Sequence, residues 1–186
     1  MGQGKSVFTW YLPQYAGVDP KTGAALYYKT TTDDKGNQTT TTTTTASEAT
    51  YHLCGSAMPE IYGGFGSSLA WKGLDFSVSF AYQIGGKIYD SDYQSLMGAT
   101  RGEAFSTDLY NAWTPENTNT NIPRIMFNDD DASAESDRWL TNASYLSLQN
   151  VTLGYTFPKQ WVSRIGLGTL RVYVTADNVW VWSLRQ

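Results

Sequence analysis

Charged residues and cysteine are scarce in this chain of 186 residues. Lysine, arginine, aspartate and glutamate together make up 16% of it, below the roughly 25% of an ordinary soluble domain. The formal net charge is -4, and no cluster of Lys and Arg is available to neutralise phosphates, which argues against a nucleic-acid partner. The single cysteine, Cys54, excludes an internal disulfide framework.

Long apolar runs are also missing, and their absence excludes a helical membrane span, which needs about 18 consecutive apolar residues. The start of the chain, MGQGKSVFTW, has no charged segment followed by an apolar one, so no signal peptide is visible. The expectation is therefore either a cytosolic protein or a piece of a longer one.

The sequence also lacks clear signals for catalysis. The only histidine, His52, lies two residues from Cys54 on the same face of a predicted strand, which favours a buried free thiol over a catalytic nucleophile. No serine lies in a nucleophile elbow, and no two carboxylates stand out as an acid–base pair for cleaving a sugar. We therefore expect no catalytic residues, no enzyme activity and no cofactor.

Carboxylates are densest in the segment Asn128–Asp137, NDDDASAESD. Asp129 and Asp131 alternate in a way that fits oxygen ligands around Ca²⁺, but the segment lacks the central glycine and the bidentate glutamate of an EF-hand. A solvated acidic loop is the favoured interpretation. Asp129 and Asp131 remain a calcium candidate, and no other metal site is expected.

Aromatic residues, in contrast, are abundant, at 15% of the chain with 13 Tyr and 7 Trp. Low charge combined with many aromatics is typical of membrane β-barrels, in which one residue in two along a strand meets lipid and Tyr and Trp collect at the two interfaces. Seven aromatics could stack on sugar rings, but most lie near the ends of predicted strands and are interpreted as interface or packing residues: Trp71, Trp161, Trp180, Trp182, Tyr82, Tyr89 and Tyr155.

The clearest strand signal is LDFSVSFAYQIG, Leu74–Gly85, in which large apolar residues alternate with small or polar ones. About twelve residues at roughly 3.3 Å each, tilted by about 45°, span roughly 28 Å, close to the apolar thickness of a bilayer. The large side chains are therefore predicted to face lipid. The predicted membrane-facing residues are Phe76, Val78, Phe80, Tyr82 and Ile84.

Glycine, proline and asparagine divide the rest of the chain into strands with very unequal connections. Lys72-Gly73 predicts a two-residue hairpin loop, and Pro20–Gly23 predicts a type I turn. The predicted strands are Val7–Leu12, Ala24–Lys29, Thr50–Leu53, Gly64–Trp71, Leu74–Ile84, Ser144–Phe157 and Thr169–Trp182.

Two connections are long and polar. Residues 30–50 include seven consecutive threonines, Thr39–Thr45, and are predicted to form a loop insertion that cannot build a core. Residues 86–143 are predicted to form a long loop, and its aromatics Tyr110 and Trp113 are candidates for ligand or partner contact because loops carry binding functions. The alternative is that these two rings pack their own loop. Short turns combined with long loops are characteristic of outer-membrane barrels.

Three motifs in one order carry a resemblance to a known family. MPEIYGGFGSSLAWKGLDFSVSFAYQIGGKIYD, Met58–Asp90, and the segment Ser136–Val179 resemble the C-terminal barrel region of SusC-like TonB-dependent transporters of Bacteroidetes outer membranes. YAGVDPKTGAALYY, Tyr15–Tyr28, resembles the stretch that precedes them. The resemblance covers nearly the whole chain, 1–186, except the threonine-rich insertion.

That family implies a wide barrel of about twenty-two strands with its lumen closed by a plug. It also implies import of a glycan or peptide across the bacterial outer membrane, a SusD-like lipoprotein over the extracellular mouth, and TonB acting on the plug. The plug, the TonB box and the closing strands have no counterpart in this sequence. We therefore expect a fragment of the barrel wall that depends on the remainder of the barrel and on the lipid bilayer.

The fold predicted from these observations is all-β, an open curved sheet of antiparallel transmembrane strands with long extracellular loops. A second hypothesis from a different class is a secreted, soluble β-sandwich that binds carbohydrate through exposed aromatics. The two differ in whether lipid or a second protein layer covers the apolar side of Leu74–Gly85.

Overall fold

The computed structural model describes residues 4, 6–98, 102–127 and 129–184. These residues form antiparallel strands with a few short helices, so the predicted all-β class is confirmed. The α-helices are α1 (Ser91–Met97) and α2 (Lys159–Val162), and no helix within the described ranges is long and apolar enough to cross a membrane. The strands are β1 (Thr9–Pro13), β2 (Tyr15–Val18), β3 (Ala25–Thr32), β4 (Gln38–Thr43), β5 (Tyr51–Ser56), β6 (Ile61–Trp71), β7 (Leu74–Ile84), β8 (Lys87–Tyr89), β9 (Leu140–Asn142), β10 (Tyr145–Thr156) and β11 (Arg171–Ser183).

The backbone divides into two compact units. Unit 1 comprises Met1–Ala57 and Lys87–Thr141, and unit 2 comprises Met58–Gly86 and Asn142–Gln186. Unit 2 carries the long strands and unit 1 carries most of the short ones.

Unit 2 is built on one antiparallel sheet with the strand order β11-β10-β7-β6. Its strands have 11 to 13 residues, about twice the usual strand length of five or six. The predicted strand Leu74–Ile84 coincides with β7. Lys72 and Gly73 join β6 to β7 with φ angles of 47° and 90°, the left-handed pair of a type I′ turn, so the predicted two-residue hairpin is confirmed.

Strand β10 contains a β-bulge at Gln149. The register of β10 against β7 shifts between Leu148 and Asn150, so Gln149 has no opposite residue on β7. An extra residue in one strand reverses the alternation of side chains beyond it. Because of the bulge, Leu146 lies on the same face of the sheet as Val151, although one position is even and the other odd.

Unit 1 contains smaller antiparallel pairings: β1 with β5, β8 with β9, and a sheet of β2, β3 and β4. The predicted strands at 7–12, 24–29 and 50–53 correspond to β1, β3 and β5 with shifted ends. The turn within Pro20–Gly23 is present, but the Gly23 amide donates to the Asp19 carbonyl over 2.8 Å, one residue further back than in the type I turn that we predicted.

The expectation that residues 30–50 form a loop without a core is wrong. The threonine tract supplies β4, which pairs with β3 from Tyr27 opposite Thr43 to Thr32 opposite Gln38. Threonine is β-branched and favours extended backbone, which explains a strand in a polar segment. Immediately after the tract, Ala46 and Ala49 are buried in the hydrophobic cluster of this unit.

Residues 86–143 are also more ordered than a long loop. The segment contains β8, α1 and β9 together with short 3-10 helices. The Asp90 side chain caps α1 by accepting a hydrogen bond from the Tyr93 amide. Trp139, only 2% exposed, donates its indole N–H to the Ala134 carbonyl over 2.9 Å. Its buried indole anchors this segment, which a purely polar loop would not do.

Tyr27 is the centre of the core in unit 1. It is 1% exposed and packs with Ala25, Ala46 and Ala49, which leave room for its ring. Its hydroxyl donates to the main-chain carbonyl of Asp131 over 2.6 Å. Burial raises the pKa of Tyr27 well above its usual range, so the phenol stays protonated and continues to donate.

We predict that Tyr27→Phe lowers the free energy of unfolding by about 1–3 kcal/mol, because the Asp131 carbonyl loses its donor inside the core. The neighbouring Tyr28, which is 36% exposed, serves as the control. Tyr28→Phe should change stability by less than about 0.5 kcal/mol. Thermal unfolding of the two variants measures this, and equal midpoints would contradict the role given to the Tyr27 hydroxyl.

Candidate functional site

The sheet of unit 2 has one face that is apolar across all four strands. Residues opposite each other in an antiparallel pair point to the same side of the sheet, and the register therefore places the large side chains of each strand together. This surface, called the apolar face below, consists of Ile61, Phe65, Leu69 and Trp71 on β6; Leu74, Phe76, Val78, Phe80, Tyr82 and Ile84 on β7; Leu146, Leu148, Val151, Leu153 and Tyr155 on β10; and Val172, Val174, Ala176, Trp180 and Trp182 on β11.

Among the residues of unit 2 that the structure describes, no protein layer covers the apolar face. Leu69 is 67% exposed and Val174 is 70% exposed, while Phe76 and other residues of the central strand β7 are half-buried between neighbouring strands. Among the described residues of unit 2, Ala143 and Val162 are the only buried apolar side chains. An exposed apolar surface of this size marks contact with a partner or a membrane.

Aromatic residues lie towards both ends of the apolar face. Trp71 and Tyr155 lie at the end with the Lys72-Gly73 hairpin, and Tyr82, Trp180 and Trp182 lie towards the opposite end. The arrangement matches the two aromatic girdles of a membrane barrel, which hold Tyr and Trp at the headgroup levels.

The opposite face of the same sheet is mostly polar or small. Arg171 makes a bidentate ion pair with Asp75, at 2.6 Å from Nη2 to Oδ2 and 3.1 Å from Nε to Oδ1. Gly154 lies against this pair, where a Cβ would overlap the Asp75 carboxylate, so only glycine fits at this position. Further along, the Asn150 amide donates to Asp177 over 2.7 Å.

The two loop aromatics have different surroundings. Tyr110 is 91% exposed on a short 3-10 helix, Thr107–Asn111. It borders an open, largely apolar depression in unit 1, lined by Phe105, Ser106, Thr107, Leu109, Tyr110 and Ile125. An exposed ring beside an apolar depression is suited to binding a partner or ligand.

Trp113, in contrast, packs against the turn that joins β2 to β3. Its indole N–H donates to the Pro20 carbonyl over 3.2 Å. Gly23 has a φ of +73°, and its missing Cβ leaves the space that the Trp113 ring occupies. Trp113 therefore packs on a turn that is distant in sequence, a contact that the alternative of packing within its own loop did not include.

The acidic segment makes contacts within unit 1. One carboxylate oxygen of Asp131 accepts the Ala46 amide over 2.8 Å, and Asp129 begins a 3-10 helix, Asp130–Ser133. Asn128 lies outside the described residues. In the part of the chain that the structure describes, neither aspartate belongs to a group of three ligating side chains.

The structure adds one group that sequence reasoning missed. His52 and Cys54 on β5 are joined by Asp137, so that ligand atoms of the three side chains all lie within 4.8 Å of one another. The predicted buried free thiol is confirmed. Burial raises the pKa of the Cys54 thiol, and the Asp137 carboxylate adds to that rise, which opposes a role as a nucleophile. Nothing in the local sequence connects Asp137 to β5.

Comparison with known proteins identifies relatives of this chain. The "TonB-dependent receptor P3" of Formosa agariphila is 33% identical over 183 residues, covering 95% of this chain and 18% of that receptor. The "TonB-dependent receptor SusC" of Bacteroides thetaiotaomicron is 28% identical over 123 residues, covering 64% of this chain and 12% of that receptor. A chain of the RagAB peptide transporter superposes with a TM-score of 0.73 and 31% identity, over 94% of this chain and 19% of that one.

The chain belongs to the SusC-like TonB-dependent receptors. No protein-family model matches it. The chain spans about a fifth or less of the length of the relatives described above. Its likeness to RagAB confirms the predicted class of an antiparallel barrel segment, and the open sheet of unit 2 is what part of such a wall requires.

In this SusC-like segment we predict unequal effects on stability for the two loop aromatics. Trp113→Ala should lower the free energy of unfolding by about 1–3 kcal/mol, because it removes the packing on the Pro20–Gly23 turn. Tyr110→Ala should stay within about 0.5 kcal/mol of the parent, since the ring is exposed. Thermal unfolding measures both, and a destabilised Tyr110 variant with a stable Trp113 variant would reverse the assignment.

Proposed function

We propose that the chain forms part of the wall of a TonB-dependent importer of large nutrients in the bacterial outer membrane, from the C-terminal region of its barrel. The apolar face is the observation that carries this proposal. Strands of 11 to 13 residues at about 3.4 Å per residue, tilted by about 45°, span roughly 26–31 Å, the thickness of the apolar core of a bilayer.

In this proposal the two faces of the sheet have different surroundings. The apolar face, including Phe76, Val78, Phe80, Tyr82 and Ile84, contacts lipid, and the opposite face with Asp75 and Arg171 lines the interior of the barrel. The tight hairpin at Lys72-Gly73 lies on the periplasmic side, following the pattern of short periplasmic turns and long extracellular loops. Residues 30–50 and 86–143 belong to the extracellular loops.

The partners follow from the same proposal. A SusD-like lipoprotein and a glycan or peptide substrate bind on the extracellular side, and TonB acts through a plug supplied by the rest of the receptor. The likeness to the RagAB peptide transporter supports a peptide as one of the substrate classes. Tyr110 and its apolar depression are our candidate for contact with the lipoprotein or substrate. The receptor and transporter names of the relatives support a role other than catalysis.

The face assignment is tested by Val78→Arg and Ser77→Arg, two neighbours near the middle of β7 that point to opposite faces. In the whole receptor, Val78→Arg should destabilise the barrel by about 2–4 kcal/mol, the cost of arginine at the midplane of the bilayer. Ser77→Arg should cost much less, because its side chain faces the interior. The folded, heat-resistant fraction in outer membranes and the urea midpoint measure the difference.

A second measurement does not require the barrel to tolerate an arginine at position 77 or 78. A spin label is attached at Val78→Cys or Ser77→Cys in a Cys54→Ser background, in receptor reconstituted into vesicles. Relaxation of the label at position 78 should be enhanced mainly by oxygen, which concentrates in lipid. Relaxation of the label at position 77 should be enhanced mainly by a water-soluble nickel chelate. Equal access of the nickel chelate to both labels would contradict the proposal, as would a receptor that stays monodisperse in buffer without detergent. The alternative hypothesis of a soluble β-sandwich predicts a protein that stays monodisperse in buffer without detergent.

A further inference from the structure

The three side chains His52, Cys54 and Asp137 form a compact set of metal ligands in unit 1. Cys54 is buried, while the side chains of His52 and Asp137 are 33% and 25% exposed. The group therefore has a closed side at the sulfur and an open side through which an ion can enter. None of the proposed transport contacts uses these residues.

Two separations between the donor atoms are close to those of a tetrahedral site. Cys54 Sγ lies 3.5 Å from His52 Nε2, and His52 Nε2 lies 3.4 Å from Asp137 Oδ2. Sγ also lies 3.8 Å from Nδ1, so the sulfur faces the imidazole ring, and the ring has to turn for Nε2 and Sγ to share one ion. With bond lengths of about 2.3 Å to sulfur and about 2.0–2.2 Å to nitrogen and oxygen, tetrahedral angles give roughly 3.6 Å for sulfur to nitrogen and roughly 3.4 Å for nitrogen to oxygen.

The hydrogen bonds around the cluster leave His52 Nε2 and Asp137 Oδ2 available as ligand atoms. His52 Nδ1 lies 3.1 Å from the Leu12 carbonyl, which can only accept, so Nδ1 carries the proton and Nε2 of the neutral ring is the free ligand. Asp137 Oδ1 accepts the Tyr15 amide over 2.8 Å, which orients the carboxylate and leaves Oδ2 towards His52. Metal-binding His and Asp side chains are commonly held by outer contacts of this kind.

Asp137 is further fixed through the next residue along the chain. The Arg138 guanidinium lies over the rings of Tyr15 and Trp139, at 5.0 Å and 4.6 Å from their centroids. Trp139 itself is almost fully buried. The segment that delivers Asp137 to β5 is therefore anchored by packing.

The same three residues can be explained without a metal. Protonated His52 would form an ion pair with Asp137, and the Cys54 thiol would donate to the His52 carbonyl, 3.3 Å from Sγ. The observed 3.4 Å between Nε2 and Oδ2 is longer than the 2.7–2.9 Å usual for such a charged hydrogen bond. That separation fits two ligands of one ion better than it fits a direct bond.

We propose that His52, Cys54 and Asp137 bind one divalent transition-metal ion of the zinc class. Thiolate and imidazole ligands select such ions over Mg²⁺ and Ca²⁺. On binding, the Cys54 thiol releases its proton to solvent, and one thiolate, one carboxylate and one dication together leave no net charge in a partly buried site. Three protein ligands leave a fourth position for water, and the ion links β5 to the segment around Asp137.

Co²⁺ is the first probe, added to the whole receptor in detergent after removal of metals with a chelator. Coordination by Cys54 should give a thiolate-to-cobalt charge-transfer band in the near ultraviolet, together with the intense visible bands of tetrahedral cobalt. Zn²⁺ should displace the cobalt and abolish both. Absence of the charge-transfer band would overturn the proposal.

Variants assign the signal to this cluster. Cys54→Ser should abolish the charge-transfer band, and His52→Gln and Asp137→Asn should each weaken binding at least about tenfold. Glu135→Gln is the matched control, because Glu135 is an exposed carboxylate two residues from Asp137 and outside the cluster. It should bind Co²⁺ like the parent. A Cys54→Ser variant with an unchanged spectrum would place the metal elsewhere and refute the site.

Alkylation of the parent protein provides a test that needs no variant. Zn²⁺ should protect Cys54 from a small alkylating reagent, and a chelator should restore the reaction, with peptide mass spectrometry identifying Cys54. Zn²⁺ should also raise the thermal midpoint of the parent and of Glu135→Gln, but not of Cys54→Ser. Alkylation at the same rate with and without Zn²⁺ would contradict the proposal, whatever the arginine variants and the spin labels show about the two faces of the sheet.

Discussion

Apolar surface left in water costs roughly 25 cal/mol per Å², and unit 2 displays such surface on every strand of its sheet. A single antiparallel layer separates its side chains into two sets, and only the polar set is satisfied within the unit, by bonds such as Asp75 to Arg171. The apolar set, from Leu69 on β6 to Val174 on β11, has no protein layer over it among the described residues of unit 2. In the proposed function lipid covers this set, and the length of the strands favours lipid.

Much of unit 2 was predictable because its signals are local. Strand alternation and turn chemistry depend on neighbours in sequence, so Leu74–Ile84 and the Lys72-Gly73 hairpin followed from the residues alone. The bulge at Gln149 did not follow from treating Ser144–Phe157 as one strand. A signal was nevertheless present, since the apolar positions change from even to odd between Leu148 and Val151, and a regular strand cannot place both on one face.

Unit 1 was much less predictable, because its core and its clusters join segments that are distant in sequence. Tyr27 is closed in by Ala46 and by the carbonyl of Asp131. A polar tract with two alanines gives no local indication that these alanines are buried. Asp137 reaches β5 in the same way, and no spacing rule connects it to His52 and Cys54. Burial depends on tertiary contacts of this kind, which composition and periodicity do not encode.

The two outer strands of the four-stranded sheet impose a further requirement. In the order β11-β10-β7-β6, the outer strands each present a row of unpaired backbone N–H and C=O groups. In water such an edge is tolerable, but in hydrocarbon each unpaired group costs several kcal/mol, so only a closed barrel satisfies them. The apolar face and the open edges therefore impose one joint requirement. Lipid can cover the face only if further strands pair with β6 and β11, so the sheet becomes stable in a membrane as part of a larger wall and not by itself.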